Sequence, residues 1–213
     1  MRPRRWILLY ALALVAAPAR ARTVVDDWTR VIPPPAPVVH AITLAPRTTA
    51  LLLLDFVSQT CNEARRPRCV ASIPAVARLL AQARAHGVTV IYSFVPSGAP
   101  ADVAPALKPR PGEPLVQSGP DKFLGTDLAG LLHRAGIRTV IVTGTAAEGA
   151  VLSTASEAAF RGYQVVLPAD GLSSASLYAE QYVIWDLLHS PGTAGRVTLT
   201  TTDRIGFARQ PPG

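Results

Sequence analysis

Two carboxylates follow the two apolar strands that the sequence predicts most clearly. Asp55 ends the run ALLLLD, and Glu148 lies in the small-residue turn after the β-branched run 140–143. The carboxyl ends of parallel strands meet at one edge of a sheet, where ligands bind. A paired Asp and Glu at that edge could divide general-acid and general-base work. The alternative for Glu148 is an early-helix position that the helix dipole favours.

Residues 139–174 predict a strand, a small-residue turn, a helix and a second strand. The uncharged run 140–143 is typical of a strand buried on both faces of a parallel sheet. Small and apolar residues then recur at helical spacing from Ala150, and Gly162 ends that helix. Another helical pattern spans residues 73–86. The expected fold class is α/β, a single-domain three-layer α/β/α arrangement with a mainly parallel, doubly wound sheet.

Three motifs carry a resemblance to a known superfamily. They read LLLLDF, KFLGTDLAGLLHRAGIRTVIVTG and GTAAEGAVLSTASEAAFRGY. Together they resemble the isochorismatase-like hydrolases, which include nicotinamidases, N-carbamoyl amidohydrolases and isochorismatase. Most members combine an Asp after the first strand, a Lys from the middle of the chain and a Cys nucleophile at the start of a helix. The resemblance implies that Asp55 occupies the Asp position and that Ala150 occupies the Cys position.

Ala150 cannot act as the nucleophile of this superfamily, because a methyl group does not attack a carbonyl. Isochorismatases also lack the Cys, and there the resemblance implies that the Asp protonates a vinyl ether and water completes the cleavage. We therefore predict an exported isochorismatase-like hydrolase that acts on a small molecule without a Cys nucleophile. Asp55 would be its general acid or base, with attack by water. The alternative is a catalytically inactive small-molecule-binding or assembly protein on the same fold.

The catalytic Lys has two candidate positions. Many relatives carry it several residues before the Phe of the F-x-G-T-D-L motif, which is Phe123 here, and Gln117 occupies that position. Lys122 could reach Asp55 instead, or it could be a solvated loop residue. An ammonium beside Asp55 would hold the carboxylate ionised and suit a base, whereas burial alone would raise the pKa of Asp55 and suit an acid.

The turn before the helix could also bind substrate. The resemblance implies a non-proline cis peptide here in many relatives, and the backbone N–H groups of Ala146 and Ala150 could form an oxyanion site. Together with Gln117 and Glu148, these residues are the expected substrate-binding set.

Metal, cofactor and nucleic-acid sites are not expected. Nicotinamidase relatives carry an Asp-x-His cluster after the second strand, but no His follows the corresponding run VTVIYSFV. The histidines are scattered along the chain, at His40, His86, His133 and His189. Of the formal net charge of +7, four charges are Arg residues within the first 21 residues, which leaves +3 on the rest. No basic helix or aromatic-interleaved patch remains for nucleic acid.

The beginning of the chain predicts export. A basic start, RPRR, precedes an apolar run over residues 6–17 and two Ala-x-Ala sites, so residues 1–21 read as a signal peptide. The protein would be periplasmic or secreted. In an oxidising compartment Cys61 and Cys69 could form a disulfide, whereas the alternative makes Cys61 a displaced nucleophile.

The remaining chain divides into a Pro-rich arm (22–42), the hydrolase domain (43–208) and a short tail (209–213). Residues 96–120 contain seven prolines and predict a long loop that covers a site or an oligomer contact. Tyr178, Tyr182 and Trp185 form an aromatic stripe that could be core, subunit interface or substrate wall. The resemblance implies a homo-oligomer with a small-molecule ligand. No nucleic-acid partner is expected, and no membrane contact after signal cleavage.

Overall fold

The computed structural model describes residues 20–209 as two units. In the first, residues 20–36, a single 3₁₀ turn spans Trp28–Arg30, and Asp27 pairs with Arg22 at 2.6 Å and with Arg30 at 2.9 Å. The second unit, residues 37–209, is the α/β domain. Residues 1–19 of the expected signal peptide and residues 210–213 of the tail lie outside the described part of the chain.

The domain is built from short strands and four α-helices over residues 37–209. The strands are β1 (Ile42–Leu44), β2 (Thr49–Leu54), β3 (Thr89–Phe94), β4 (Leu115–Gln117), β5 (Thr139–Thr145), β6 (Gln164–Pro168), β7 (Leu172–Ser173), β8 (Val197–Thr200) and β9 (Ile205–Phe207). The helices are α1 (Pro67–Ala85), α2 (Leu128–Arg134), α3 (Leu152–Phe160) and α4 (Leu177–His189).

Seven strands form one parallel sheet in the order β4-β3-β2-β5-β6-β8, with β7 beside the end of β5. From β2 the chain continues to β3 on one side, and from β5 it continues to β6 on the other. This reversal between two neighbouring strands is the switch point at which doubly wound sheets leave a crevice. Leu54 and Gly144 are paired there, so the two strand ends that carry the candidate chemistry meet as predicted.

Helices cover both faces of the sheet. Leu52 and Leu54 of β2 pack in the core that includes α2, α3 and α4, whereas Leu51 and Leu53 pack in the core that includes α1. A strand buried on both sides cannot alternate apolar and polar residues, which explains the uninterrupted run of leucines. The predicted three-layer α/β/α fold is confirmed.

Gly144 permits the close approach of β2 and β5. Its φ is +150°, and a Cβ at this position would lie 2.4 Å from the carbonyl oxygen of Leu54 and 2.5 Å from the Leu54 Cβ. Neither the backbone conformation nor the available space suits a larger residue. The ends of β2 and β5 can therefore approach this closely only because residue 144 is a glycine.

Helix α1 begins earlier than the pattern over residues 73–86 predicts. Pro67 is its first residue, a position at which the missing N–H has no helical acceptor in any case. Pro74 lies inside the helix and removes one hydrogen bond, so on sequence grounds it resembles a start signal rather than an interior residue. The earlier start places the second cysteine within the first turn.

Cys61 and Cys69 form a disulfide with a Cα–Cα distance of 5.4 Å, which confirms the predicted pairing. No free cysteine occurs among residues 20–209. The alternative that makes Cys61 a displaced nucleophile is therefore wrong for the oxidised protein, because its sulfur is bonded to Cys69.

The long segment 96–120 is more ordered than expected. It contains two 3₁₀ turns, Pro100–Asp102 and Pro105–Leu107, and the edge strand β4. Val103 and Leu107 are buried in the core beside α1. The prolines therefore shape a packed connection rather than a structureless loop.

The aromatic stripe of α4 is exposed. Tyr178, Tyr182 and Trp185 are 67%, 43% and 42% exposed, whereas α4 packs into the core through Val183 and Leu187. The core interpretation of the stripe is therefore wrong, whereas a subunit interface and a substrate wall on this face both stay predictions. Among residues 20–209, no helix combines the length and apolar character needed to cross a membrane.

Candidate functional site

Asp55 lies directly after β2, at the switch point of the sheet. It is buried, and its φ of +58° is the one positive value outside glycine among residues 20–209. Oδ2 lies 2.7 Å from the ammonium of Lys122, and Oδ1 accepts a hydrogen bond from Ser93 Oγ at 2.9 Å. Both carboxylate oxygens are therefore bonded, and the left-handed backbone marks a locally strained position of the kind found at functional sites.

Lys122 is 0% exposed, and the loop before α2 holds it in place. Its ammonium also donates to the carbonyl of Ser118 at 3.2 Å. Its backbone N–H donates to Thr154 Oγ1 at 3.2 Å, and its carbonyl accepts from Thr126 Oγ1 at 2.5 Å. Of the two alternatives for Lys122, the solvated loop residue is wrong. A buried ammonium requires a counter-charge, which Asp55 provides.

The site perturbs the pKa of Asp55 in two directions. Burial raises the pKa above the ordinary carboxyl value, and this effect dominates. The charge and hydrogen bond of Lys122 lower it, as do the Ser93 hydrogen bond and the charge of Arg66. A carboxyl group balanced in this way can accept a proton and return it, as general acid–base catalysis requires.

Strand β5 ends in the turn that leads to α3. The Thr145–Ala146 peptide bond is cis, and a π-helical segment, Ala147–Val151, connects it to α3. Ala150 is buried within this segment. Its methyl group occupies the position that the resemblance assigns to a nucleophile.

The structure does not join Gln117 or Glu148 to the Asp55–Lys122 pair. Gln117 ends the edge strand β4, and its Nε2 donates to the carbonyls of Val95, Pro96 and Gly98 at 3.2, 3.0 and 2.8 Å. These bonds hold the loop after β3, so its amide is already engaged there.

Glu148 is exposed in the first turn of the π-helical segment. Among the described residues it forms no ion pair or hydrogen bond with Asp55, so the two carboxylates are not directly paired in this structure. Substrate contacts by Gln117 and Glu148 remain predictions.

Ser93, Thr60 and Arg66 also belong to this region, and sequence reasoning missed them. Ser93 had a signal, since it is a polar residue in the apolar strand β3 and pairs in register with Leu54. Thr60 Oγ1 donates to the backbone carbonyl of Asp55, and Arg66 Nη1 donates to the carbonyl of Thr60 at 3.0 Å. No pattern in the sequence indicated these two, because the path of the disulfide loop sets their positions.

Within residues 20–209, no three His, Cys, Asp or Glu side chains are grouped so that they could hold a metal ion. His86 Nδ1 contacts the carbonyl of Gln82 at 2.8 Å, and His189 Nδ1 contacts that of Trp185 at 2.7 Å. Both histidines therefore interact with the ends of their own helices.

Comparison with known proteins identifies relatives of this chain in sequence and in fold. The Isochorismatase domain model matches residues 49–203, which include Asp55, Lys122 and Ala150. A solved structure of an isochorismatase family protein from Burkholderia thailandensis has a TM-score of 0.65 and 27% identity. That match covers 76% of this chain and 95% of the other.

Two relatives are similar over part of their length. The secreted isochorismatase effector Isc1 of Verticillium dahliae is 28% identical over 118 residues, which are 50% of this chain and 62% of the effector. Maleamate amidohydrolase of Pseudomonas putida is 27% identical over 149 residues, 57% of this chain and 70% of that enzyme. The match thus spans less than two thirds of the effector. On the domain match, the chain belongs to the isochorismatase family.

Proposed function

We propose that the chain is an exported hydrolase of a small molecule, in which Asp55 is general acid and base and water attacks the substrate. The observation that carries this proposal is the buried ion pair between Asp55 and Lys122, with 2.7 Å between Oδ2 and Nζ. A buried ion pair rarely stabilises a fold better than apolar side chains of the same size. Its position at the switch point, where doubly wound sheets bind their ligands, supports a role in chemistry.

In the proposed reaction, Asp55 takes a proton from water as the water oxygen bonds to an electrophilic carbon of the substrate. The Lys122 ammonium stabilises the negative charge that develops. When the bond to the leaving group breaks, Asp55 returns the proton to that group. One water is consumed, and the carboxyl group ends in its starting state.

Export completes the proposal. The Cys61–Cys69 disulfide is typical of proteins in oxidising compartments. One relative is named as a secreted effector. These observations, together with the basic and apolar start of the chain, support a periplasmic or secreted hydrolase.

The experiment is turnover by the purified mature chain on a panel of small amides, with products identified by mass spectrometry. Asp55→Asn should lower kcat by about 10²–10⁴-fold, the usual contribution of a general acid–base group. Ser93→Ala is the matched control, because it removes only the hydrogen bond that lowers the pKa of Asp55. It should retain turnover and move the Asp55 limb of the pH–rate profile to higher pH.

A second variant is also needed, because Asp55→Asn leaves the Lys122 ammonium buried without its counter-charge and could lose turnover by unfolding. The double variant Asp55→Asn, Lys122→Met removes both charges. Turnover by this double variant would contradict the proposal. Saturable binding of panel compounds without any turnover would instead support a catalytically inactive binding protein, the alternative that Ala150 favours.

A further inference from the structure

Arg66 carries a buried N–H group for which the described chain supplies no acceptor. Its Nη1 donates to the carbonyl of Thr60 at 3.0 Å, whereas its Nε is buried and has no hydrogen-bond partner among residues 20–209. An unsatisfied buried donor destabilises the folded state, and more so when the group is charged. A ligand that supplies the acceptor would remove this cost.

Thr60 links Arg66 to the Asp55 site. The Thr60 carbonyl accepts the hydrogen bond from Arg66, and the Thr60 hydroxyl donates to the backbone carbonyl of Asp55. The charge of Arg66 also contributes to lowering the pKa of the Asp55 carboxyl. Arg66 is therefore a cationic neighbour of the candidate catalytic pair.

The disulfide restrains the backbone that carries Arg66. Cys61 and Cys69 are eight positions apart and enclose the residue. The Cys69 N–H donates to the Arg66 carbonyl at 2.9 Å, and Pro67 begins α1 immediately afterwards. A group held in this way loses little conformational entropy when it binds a ligand.

We propose that Arg66 binds a carboxylate of the substrate, so that the substrate is a small carboxylic acid whose reacting bond lies close to that carboxylate. The identity of the ligand as a substrate rests on the proposed function, whereas the binding itself does not. A guanidinium presents Nε and an Nη as two parallel donors that match the two oxygens of a carboxylate. Lys122 lacks such paired donors, and two of the three N–H groups of its ammonium already bond Asp55 and the Ser118 carbonyl.

The experiment measures binding and requires no turnover. The probes are succinamate, which carries a carboxylate, and the neutral diamide succinamide, titrated calorimetrically into the purified mature chain at fixed ionic strength. We expect the wild type to bind succinamate at least tenfold more tightly than succinamide. Arg66→Gln should abolish this preference. Arg65→Gln should retain it, because Arg65 lies exposed in the same loop and donates to the carbonyl of Gln59.

Arg66→Lys adds a test of geometry. It keeps the charge without the paired donors, so it should recover only part of the preference. A preference that persists in Arg66→Gln would overturn the proposal, as would the absence of succinamate binding by the wild type. Tighter Arg66-dependent binding of inorganic phosphate than of succinamate would overturn the assignment to a carboxylate. An Arg66-dependent preference in a chain without turnover would leave this inference standing while the hydrolase proposal failed.

Discussion

Asp55 and Lys122 depend on each other because both side chains are buried in the domain. An ion left alone in such a place costs several kcal/mol, whereas removing both charges together costs much less. The hydroxyl of Ser93 also hydrogen-bonds Asp55, and the carbonyl of Ser118 also hydrogen-bonds Lys122, but neither group carries an opposite charge. The pair should therefore behave as a single unit when stability is measured.

We predict that Asp55→Asn and Lys122→Met each lower the free energy of unfolding by about 3 kcal/mol, because each leaves one buried group without its partner. The double variant should lose at least about 2 kcal/mol less than the sum of the single losses. Urea unfolding of the four proteins at pH 7 measures this coupling. Additive losses would show that the two groups do not form a buried pair in solution.

Secondary-structure elements differ in how much of their position the sequence reveals. Strands β2 and β5 and helix α3 follow from apolar runs and helical spacing, because burial of both strand faces or of one helix face produces a regular pattern of apolar residues. The loop that carries Lys122 leaves no such pattern. Hydrogen bonds to Ser118, Thr126 and Thr154 determine its path, and the last of these is 32 residues away in sequence. The Asp was therefore predictable as a site residue, whereas the position of the Lys required the structure.

The junction of β2 and β5 predicts a strongly position-dependent effect of added methyl groups. Gly144→Ala should lower the free energy of unfolding by about 3 kcal/mol, because the new Cβ would overlap Leu54 and φ is positive. Gly149→Ala is the matched control, since its Cβ would meet only the Ala146 Cβ, at 3.9 Å. Thermal or urea unfolding measures both. Equal stability of the two variants would mean that the strand ends can separate without cost.

At the scale of the whole molecule, charged pairs join parts of the chain that the sequence does not connect. Arg68 in the first turn of α1 binds the buried Glu180 of α4 through two hydrogen bonds, at 2.7 and 2.5 Å. Arg84, near the other end of α1, binds Glu113 before β4 through hydrogen bonds of 2.8 and 2.7 Å. No periodicity in the sequence predicts these contacts, because they depend on how helices and loops pack against one another in the folded domain. They tie one helix to two separate regions of the domain.

The pair between Arg84 and Glu113 should make stability depend on pH. Burial would raise the pKa of Glu113, but hydrogen bonds from Arg84 and from the Arg110 N–H outweigh this, and the pKa lies below 4.5. A carboxyl group with a lowered pKa in the folded state contributes stability above its unfolded pKa. That contribution is lost as the pH falls through the folded value.

Glu113→Gln should therefore lower the free energy of unfolding by about 2 kcal/mol at pH 7, because it leaves a mostly buried guanidinium without its counter-charge. The difference from the wild type should shrink as the pH falls below 4.5, since protonated Glu113 also lacks the charge. Glu157→Gln breaks the more exposed pair with Arg161 and should change stability by no more than about 0.5 kcal/mol. Urea unfolding from pH 7 to pH 3 distinguishes the contributions. A Glu113→Gln deficit that stayed constant over this range would assign the effect to the shape of the side chain, because only a charge can titrate.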